Sequence, residues 1–119
     1  LVRSRGLGDV YKRQLLTASV FSFTPITANA NVNMGDFKVT YYWPGEDNWG
    51  YQTATGVRSS NLYTVAVDPD VIPLGSKILI DGEEYLAVDV GGLVKGDHVD
   101  IFTETPIHKT YTAHVEIVR

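Results

Sequence analysis

Three aspartates, Asp68, Asp89 and Asp100, lie at or near the ends of apolar runs with the composition of β-strands. An aspartate that closes an apolar strand costs free energy unless its carboxylate is used or satisfied. A folded domain can bring the ends of several strands to one rim, so the carboxyl groups can share a site. Cleavage of a glycosidic bond usually uses two carboxyl groups, one of them as general acid, and three are available here.

Asp100 has the sequence context that best suits an acid. The run 99–102 alternates, so Asp100 points away from its apolar neighbours. If it faces the mouth of a barrel, low polarity and the charge of Asp89 both favour its protonated form. The alternative role is structural, because Asp68 and Asp89 each come just before a proline or glycine turn, where aspartate commonly caps the backbone.

The elements that must position these aspartates are short and β-like. Strands are predicted from β-branched and aromatic runs, and 81–82 has the Asp-Gly pair of a type I′ hairpin turn. The predicted strands cover 37–43, 61–67, 77–80, 84–88, 98–103 and 113–118, with 53–57 as a further short strand or a turn. The pattern predicts an all-β fold with little helix, a small β-barrel of six to seven strands over residues 37–119.

The first 36 residues fall into three segments. Residues 1–14 lack apolar periodicity and are interpreted as an adapter-like, non-native remnant; the alternative is the basic start of a leader. Residues 15–30 form an uncharged, mostly apolar run that ends in Thr-Ala-Asn-Ala, which predicts the back half of a secretory signal peptide. A buried N-terminal strand or helix is the alternative. Residues 31–36 are predicted to be a polar linker.

Composition excludes several classes of function. Residues 31–119 contain six Lys and Arg against thirteen Asp and Glu, a formal net charge of −7. Such a domain suits neither nucleic acid nor an anionic membrane surface, since both need basic residues. The run in 15–30 is too short to span a bilayer well, so no membrane span is expected after cleavage. A neutral or mixed-charge polymer, such as a polysaccharide, is the better partner.

No metal or other cofactor is expected. The sequence contains no cysteine, which excludes disulfides, thiolate nucleophiles and cysteine-ligated zinc. The three histidines are not at the spacing of metal ligands. Trp49 and Tyr51 lie in a loop after the first strand, where aromatic faces can stack on sugar rings; the alternative is that they cap the core.

Four blocks, at 65–69, 71–75, 89–96 and 99–102, together resemble the 3D domain, a family named for three aspartates. Its members include the C-terminal part of membrane-bound lytic transglycosylase A and the Sps-type stationary-phase survival muralytic proteins. The resemblance covers residues 37–119. It implies a double-psi β-barrel that cleaves the β-1,4 bond between N-acetylmuramic acid and N-acetylglucosamine in peptidoglycan, with a 1,6-anhydro product.

The resemblance also implies roles for particular residues. Asp100 would be the single general acid and base, Asp89 would tune its pKa and position the sugar, and Asp68 would shape the site. The turn at Gly91 and Gly92 would let the glycan approach closely. Substrate contacts of lower specificity are expected from Thr55 and Lys95, beside the two loop aromatics.

A second function is compatible with the sequence. Expansin-like proteins with the same barrel architecture bind or loosen polysaccharide without clear catalysis, so the domain could be a cell-wall-binding module. The larger transglycosylase has a further domain that builds one wall of its groove, for which this chain has no room. A wall-binding module or partner protein is therefore a further expectation. The chain is expected to be a secreted, extracytoplasmic bacterial monomer at the cell wall.

Overall fold

The fold, in a computed structural model that describes residues 30–46 and 49–119, consists of strands and loops. The predicted remnant at 1–14 and the predicted signal peptide at 15–30 lie, except for Ala30, outside the described residues. No helix occurs within the described part, which confirms the all-β prediction. The strands in this described part number six: β1 (Val32–Tyr42), β2 (Thr64–Val67), β3 (Ser76–Ile80), β4 (Glu83–Asp89), β5 (His98–Phe102) and β6 (Tyr111–Ile117).

The six strands close into one barrel in the order β1-β5-β2-β4-β3-β6, with β6 pairing back onto β1. The pairs β1/β5 and β2/β4 are parallel, and the remaining neighbours are antiparallel. Closure leaves none of these strands with an unpaired edge, which matters for a small domain without disulfides. Within residues 30–46 and 49–119, no helical segment has the length and hydropathy to cross a bilayer.

The linker predicted at 31–36 is wrong, because β1 begins at Val32. Val32 pairs with Ile117 and Asp36 with His114, so this segment is held by β6 from the far end of the domain. A register shift at Gly35, whose φ is +87°, lets the strand bend there. The mostly polar composition of this segment gives no strand pattern, and the segment is held by pairing with β6 and by the packing of Met34 against the core.

Side-chain alternation divides the residues of β1, β2 and β5 between the two faces of the sheet. The inward positions are fully buried in the core: Phe37, Val39, Val65, Val67, Val99 and Ile101. The intervening positions include Thr40, Ala66 and Asp100, and register places Asp100 opposite both of the others. Asp100 therefore lies on the outer face of the sheet rather than at the mouth of the barrel, on the opposite side from its apolar neighbours as the alternation predicts.

Candidate active site

A pocket of about 440 Å³ opens on this outer face of the sheet. Its floor is the sheet itself, and its walls are the loop that follows β1 and the glycine turn that follows β4. The lining residues are Tyr42, Trp49, Gly50, Gln52, Thr53, Ala54, Ala66, Asp89, Val90, Gly91, Gly92 and Asp100. Two of the three predicted aspartates thus share one pocket.

Asp100 is half-buried on the floor of this pocket. The Thr40 hydroxyl donates a hydrogen bond to Asp100 Oδ1 at 2.7 Å, and the same hydroxyl oxygen lies 2.8 Å from His98 Nε2. Burial raises the pKa of Asp100, and the charges of Glu46 and Asp89 add to the rise, against the Thr40 hydrogen bond and His98. A carboxyl group in this environment holds its proton to higher pH than an exposed aspartate, as a general acid requires.

The carboxylate oxygens of Asp89 accept hydrogen bonds from three donors. Its Oδ2 accepts from the Tyr42 hydroxyl at 2.8 Å, and its Oδ1 accepts from the backbone N–H groups of Ala54 at 3.0 Å and Val90 at 2.9 Å. Burial and the neighbouring Asp89 carboxylate raise the pKa of Tyr42, so this phenol stays a donor. Asp89 therefore ties the loop after β1 to the end of β4 and holds two pocket walls together.

Asp68 is absent from the pocket lining and joins two turns instead. Its Oδ2 accepts from the Gly96 N–H at 2.8 Å and its Oδ1 from the Asp70 N–H at 3.0 Å. These backbone hydrogen bonds, from Gly96 first and then Asp70, lower the pKa of Asp68, with a further contribution from Lys95. The carboxylate fixes the end of the glycine loop to the turn after β2, just before β5 begins.

The Asp68→Asn variant is expected to unfold at a lower temperature than the wild type at neutral pH. An amide has one acceptor oxygen, so its NH₂ group must face one of the two backbone donors. Because the folded state lowers the pKa of Asp68, the carboxylate stabilises the protein above the ordinary aspartate pKa, and this contribution is lost as pH falls through the lowered value. The gap between the two thermal midpoints should therefore close in acid.

Asp70→Asn is the matched control, since the Asp70 side chain is exposed and two residues away. Calorimetric melting curves of the wild type and both variants over a pH series measure the effect. An Asp68→Asn variant as stable as Asp70→Asn at neutral pH would contradict the conclusion that the Asp68 carboxylate stabilises the fold by joining two turns.

The glycine turn forms a second wall of the pocket, next to the loop. A Cβ added at Gly91 would lie 2.9 Å from Val94 Cγ2, whereas one added at Gly92 would meet nothing within 4 Å. Val94 is buried and its branched side chain has little freedom to move away. Gly91 is thus needed for close packing of the turn, and Gly92 leaves open space on the pocket side.

Gly91→Ala is expected to lower the free energy of unfolding by about 1 to 2 kcal/mol, because the new methyl group overpacks against Val94. Gly92→Ala supplies the comparison, with no steric cost within the fold. Urea unfolding of the two variants measures the difference. Equal stabilities would show that Val94 moves freely and that the turn is not held by this contact.

Of the other predicted binding residues, one lines the pocket and three do not. Trp49 lines the pocket with 66% of its surface exposed. Tyr51 does not line it; its ring packs on Phe102 with centroids 5.4 Å apart, and Arg58 stacks 4.0 Å from its centre. Thr55 donates to the Val88 carbonyl, and neither it nor Lys95 lies in the lining. Tyr51 and Thr55 therefore hold the loop in place.

Several residues of the site are not predicted by the sequence pattern. Among them are Thr40, which binds Asp100, and Tyr42, which binds Asp89. Gln52, Thr53, Ala54 and Ala66 also line the pocket. The available signal was the alternation of β1, which sets its even-numbered residues from Lys38 to Tyr42 apart from the core positions. Among residues 30–46 and 49–119, no group of three or more histidine, aspartate or glutamate side chains could hold a metal ion.

Comparisons with known proteins find similar sequences and a similar fold. The family model described as "3D domain" matches residues 63–113. The cell wall-binding protein YocH of Bacillus subtilis is 48% identical over 54 residues, which are 42% of this chain and 19% of YocH. The candidate cell wall shaping protein YabE of the same organism is also 48% identical over 54 residues, 42% of this chain and 13% of YabE. The chain thus spans under a fifth of each relative.

A solved structure shows a similar fold. MltA from E. coli, a lytic transglycosylase, superposes with a TM-score of 0.51 and 23% identity over 57% of this chain and 27% of MltA. At this identity the likeness concerns the fold alone. β1 and the loop that carries Trp49 precede the segment 63–113, so one wall of the pocket comes from outside the matched region.

Proposed function

We propose that this chain, which contains a 3D domain in residues 63–113, is a secreted lytic transglycosylase of bacterial peptidoglycan. It would cleave the β-1,4 bond between N-acetylmuramic acid and N-acetylglucosamine and leave a 1,6-anhydro end. One observation carries the proposal: Asp100 is half-buried on a pocket floor, in surroundings that raise its pKa. The fold likeness to MltA and the cell wall names of the Bacillus relatives support the choice of polymer.

Asp100 supplies both proton transfers in this reaction. Its carboxyl group protonates the glycosidic oxygen as the bond from that oxygen to C1 of the muramyl residue breaks. The muramyl C6 oxygen then bonds to C1, and the Asp100 carboxylate takes the proton of the C6 hydroxyl. Asp100 ends in its starting form, and no external water enters. One carboxyl group is therefore sufficient, whereas a hydrolase needs a second group to activate water or bond to the sugar.

The state of Asp89 favours this reaction over hydrolysis. Its two oxygens accept from Tyr42, Ala54 and Val90, so it is poorly placed to take a proton from water. Its role in the proposal is to hold the pocket walls and, by its charge, to keep the proton on Asp100. Asp68 would act from outside the pocket, by fixing the glycine loop ahead of β5.

The glycan would lie across the pocket between the loop and the glycine turn. Trp49 offers an exposed aromatic surface on one side, and Gly91 and Gly92 allow the sugar close to the backbone on the other. Neutral sugar rings suit this acidic chain because their binding needs apolar faces and hydrogen bonds rather than basic residues. Tyr51, Thr55 and Lys95 are proposed to support these walls more than to contact the glycan.

Several finer features belong to the same proposal. The double-psi assignment of the barrel is supported by the two parallel pairs in an otherwise antiparallel ring. Secretion by a signal peptide in 15–30 is supported by the uncharged run and its small-residue end. We propose that the chain acts as an extracytoplasmic monomer, in need of a partner or a further wall-binding module for full activity.

A binding module is the second candidate. The name of YocH describes cell wall binding, and an exposed tryptophan beside a pocket suits binding without cleavage. The two functions differ in what Asp100 does, because a binder needs no proton donor.

Incubation of purified peptidoglycan with the protein separates these functions. The transglycosylase predicts soluble muropeptides from the wild type and none from Asp100→Asn, while both proteins sediment with the insoluble wall. A binding module predicts that both sediment and that neither releases products. If neither protein sediments or releases products, peptidoglycan is the wrong polymer.

A further inference from the structure

The Thr40 hydroxyl connects the proposed acid to a histidine outside the pocket lining. Its oxygen lies 2.7 Å from Asp100 Oδ1 and 2.8 Å from His98 Nε2. His98 and Asp100 are two residues apart on β5, so their side chains share one face, and Thr40 on β1 is in register with Asp100. The arrangement is fixed by two adjacent parallel strands rather than by a loop.

A hydroxyl group has one proton, so Thr40 can donate to only one of its two partners at a time. When Asp100 is a carboxylate, Thr40 donates to it and accepts from an Nε2–H of His98. When Asp100 carries a proton, it can donate to Thr40, which then donates to a bare Nε2. The two arrangements interconvert when one proton moves from Asp100 to Thr40 and the hydroxyl proton moves on to His98, with no net gain or loss.

We propose that His98, Thr40 and Asp100 form a relay that shares one proton. His98 is then a positioning residue that controls whether Asp100 is loaded, that is, whether it carries the proton that a general acid donates. Its catalytic consequence rests on the proposed function. Since transglycosylation returns its proton to Asp100, the relay sets the resting state of the acid and supplies no proton to the reaction. Because the Thr40 hydroxyl contacts both groups, a proton that His98 gains or loses changes the protonated fraction of Asp100.

The surrounding charges favour the loaded arrangement. Asp100 faces Asp89 and Glu46, whose negative charges oppose its ionisation, and the neutral donor Tyr42. On the His98 side, Asp97 precedes it on the chain, and Lys38 is its register partner on β1. Two carboxylates thus lie at the Asp100 end of the relay, whereas one carboxylate and one ammonium group lie near His98. The balance of charge therefore holds the proton on the Asp100 carboxyl group while His98 is neutral.

The relay can be tested without any substrate. Nuclear magnetic resonance of the full chain follows the Asp100 carboxyl carbon and the His98 ring nitrogens through a pH titration. In the wild type, both signals are expected to change in two steps with shared midpoints, as coupled groups do. In Thr40→Val each signal should collapse to one step, with the Asp100 midpoint moved to higher pH because the hydroxyl donor is lost. Thr40→Ser should restore the two shared steps.

Two controls exclude a general structural effect. His114, which lies on β6 near Asp36 and Glu116, should titrate identically in all variants. Thr112→Val makes the same exchange at an exposed position of β6 and should leave the Asp100 and His98 curves unchanged. Independent single steps for Asp100 and His98 in the wild type, or shared steps that survive in Thr40→Val, would overturn the relay.

A separate experiment measures the effect of His98 on the proposed activity. His98→Gln should move the high-pH limb of product release to higher pH, because it removes a cation that opposes the proton on Asp100. Unchanged limbs would overturn the catalytic consequence. If no products form, the proposed function fails while the titration still decides the relay.

Discussion

Replacing Asp100 by asparagine is expected to lower the rate of product release from peptidoglycan by about 10³-fold or more. The amide has nearly the shape of the carboxyl group and can still accept from the Thr40 hydroxyl, but it cannot protonate the leaving oxygen. The rate is measured as soluble muropeptides released per unit time at saturating peptidoglycan. A variant that retains a tenth of the wild-type rate would show that Asp100 is not the acid.

Stability provides the control for this variant. Since burial raises the pKa of Asp100, the folded state binds a proton more tightly than the unfolded chain, and the wild type loses stability as pH rises through that window. Asp100→Asn has no such titration, so it should be at least as stable as the wild type at neutral pH. Loss of activity with an unchanged or higher thermal midpoint then assigns the effect to chemistry.

The second large effect is expected from Asp89→Ala. The substitution removes the acceptor of the Tyr42 hydroxyl and of the Ala54 and Val90 N–H groups. The Tyr42 hydrogen bond is partly buried and the other two are exposed, so we expect unfolding to become easier by about 1 to 2 kcal/mol, near the cost of one unpaired buried donor. Urea denaturation at neutral pH measures the change in the free energy of unfolding. The rate of product release should also fall, because the loop that carries Trp49 loses its hydrogen bonds to the Asp89 carboxylate.

Two companion variants make this result interpretable. Glu83→Ala, at the exposed start of the same strand, should change the free energy of unfolding by less than about 0.5 kcal/mol. Tyr42→Phe removes one donor, and its effect should be smaller in an Asp89→Ala background than in the wild type, since the two groups share a hydrogen bond. Strictly additive effects would contradict a stabilising contact between Tyr42 and Asp89.

Much of the fold was predictable because it is encoded locally. The Asp81-Gly82 pair predicts a tight hairpin, and the two residues adopt φ angles of +48° and +84° between β3 and β4. The alternation in 98–103 predicts that Asp100 points away from Val99 and Ile101, both of which are fully buried. The glycine and aspartate blocks predict a resemblance to the 3D domain, and the match of that family model to residues 63–113 confirms this resemblance.

The parts that could not be predicted depend on contacts between distant segments. The start of β1 is held by β6, more than seventy residues further along the chain. Thr40 and Tyr42 become site residues only because β1 lies parallel to β5 and near the end of β4. Tyr51 faces Phe102 instead of the pocket, an orientation set by the tertiary path of its loop. Neither periodicity nor residue type contains this information.

Mass spectrometry of the ends of the soluble muropeptides, released by the purified protein in ¹⁸O-labelled water, tests the central claim most directly. We expect 1,6-anhydromuramyl ends, lighter than reducing ends by one water molecule and free of the label, because the C6 hydroxyl closes on C1. Reducing ends that carry the label would contradict the account, since they would show that water attacks and that a second group must activate it. Release of no product, with the protein bound to the wall, would equally reject cleavage and leave a binding module.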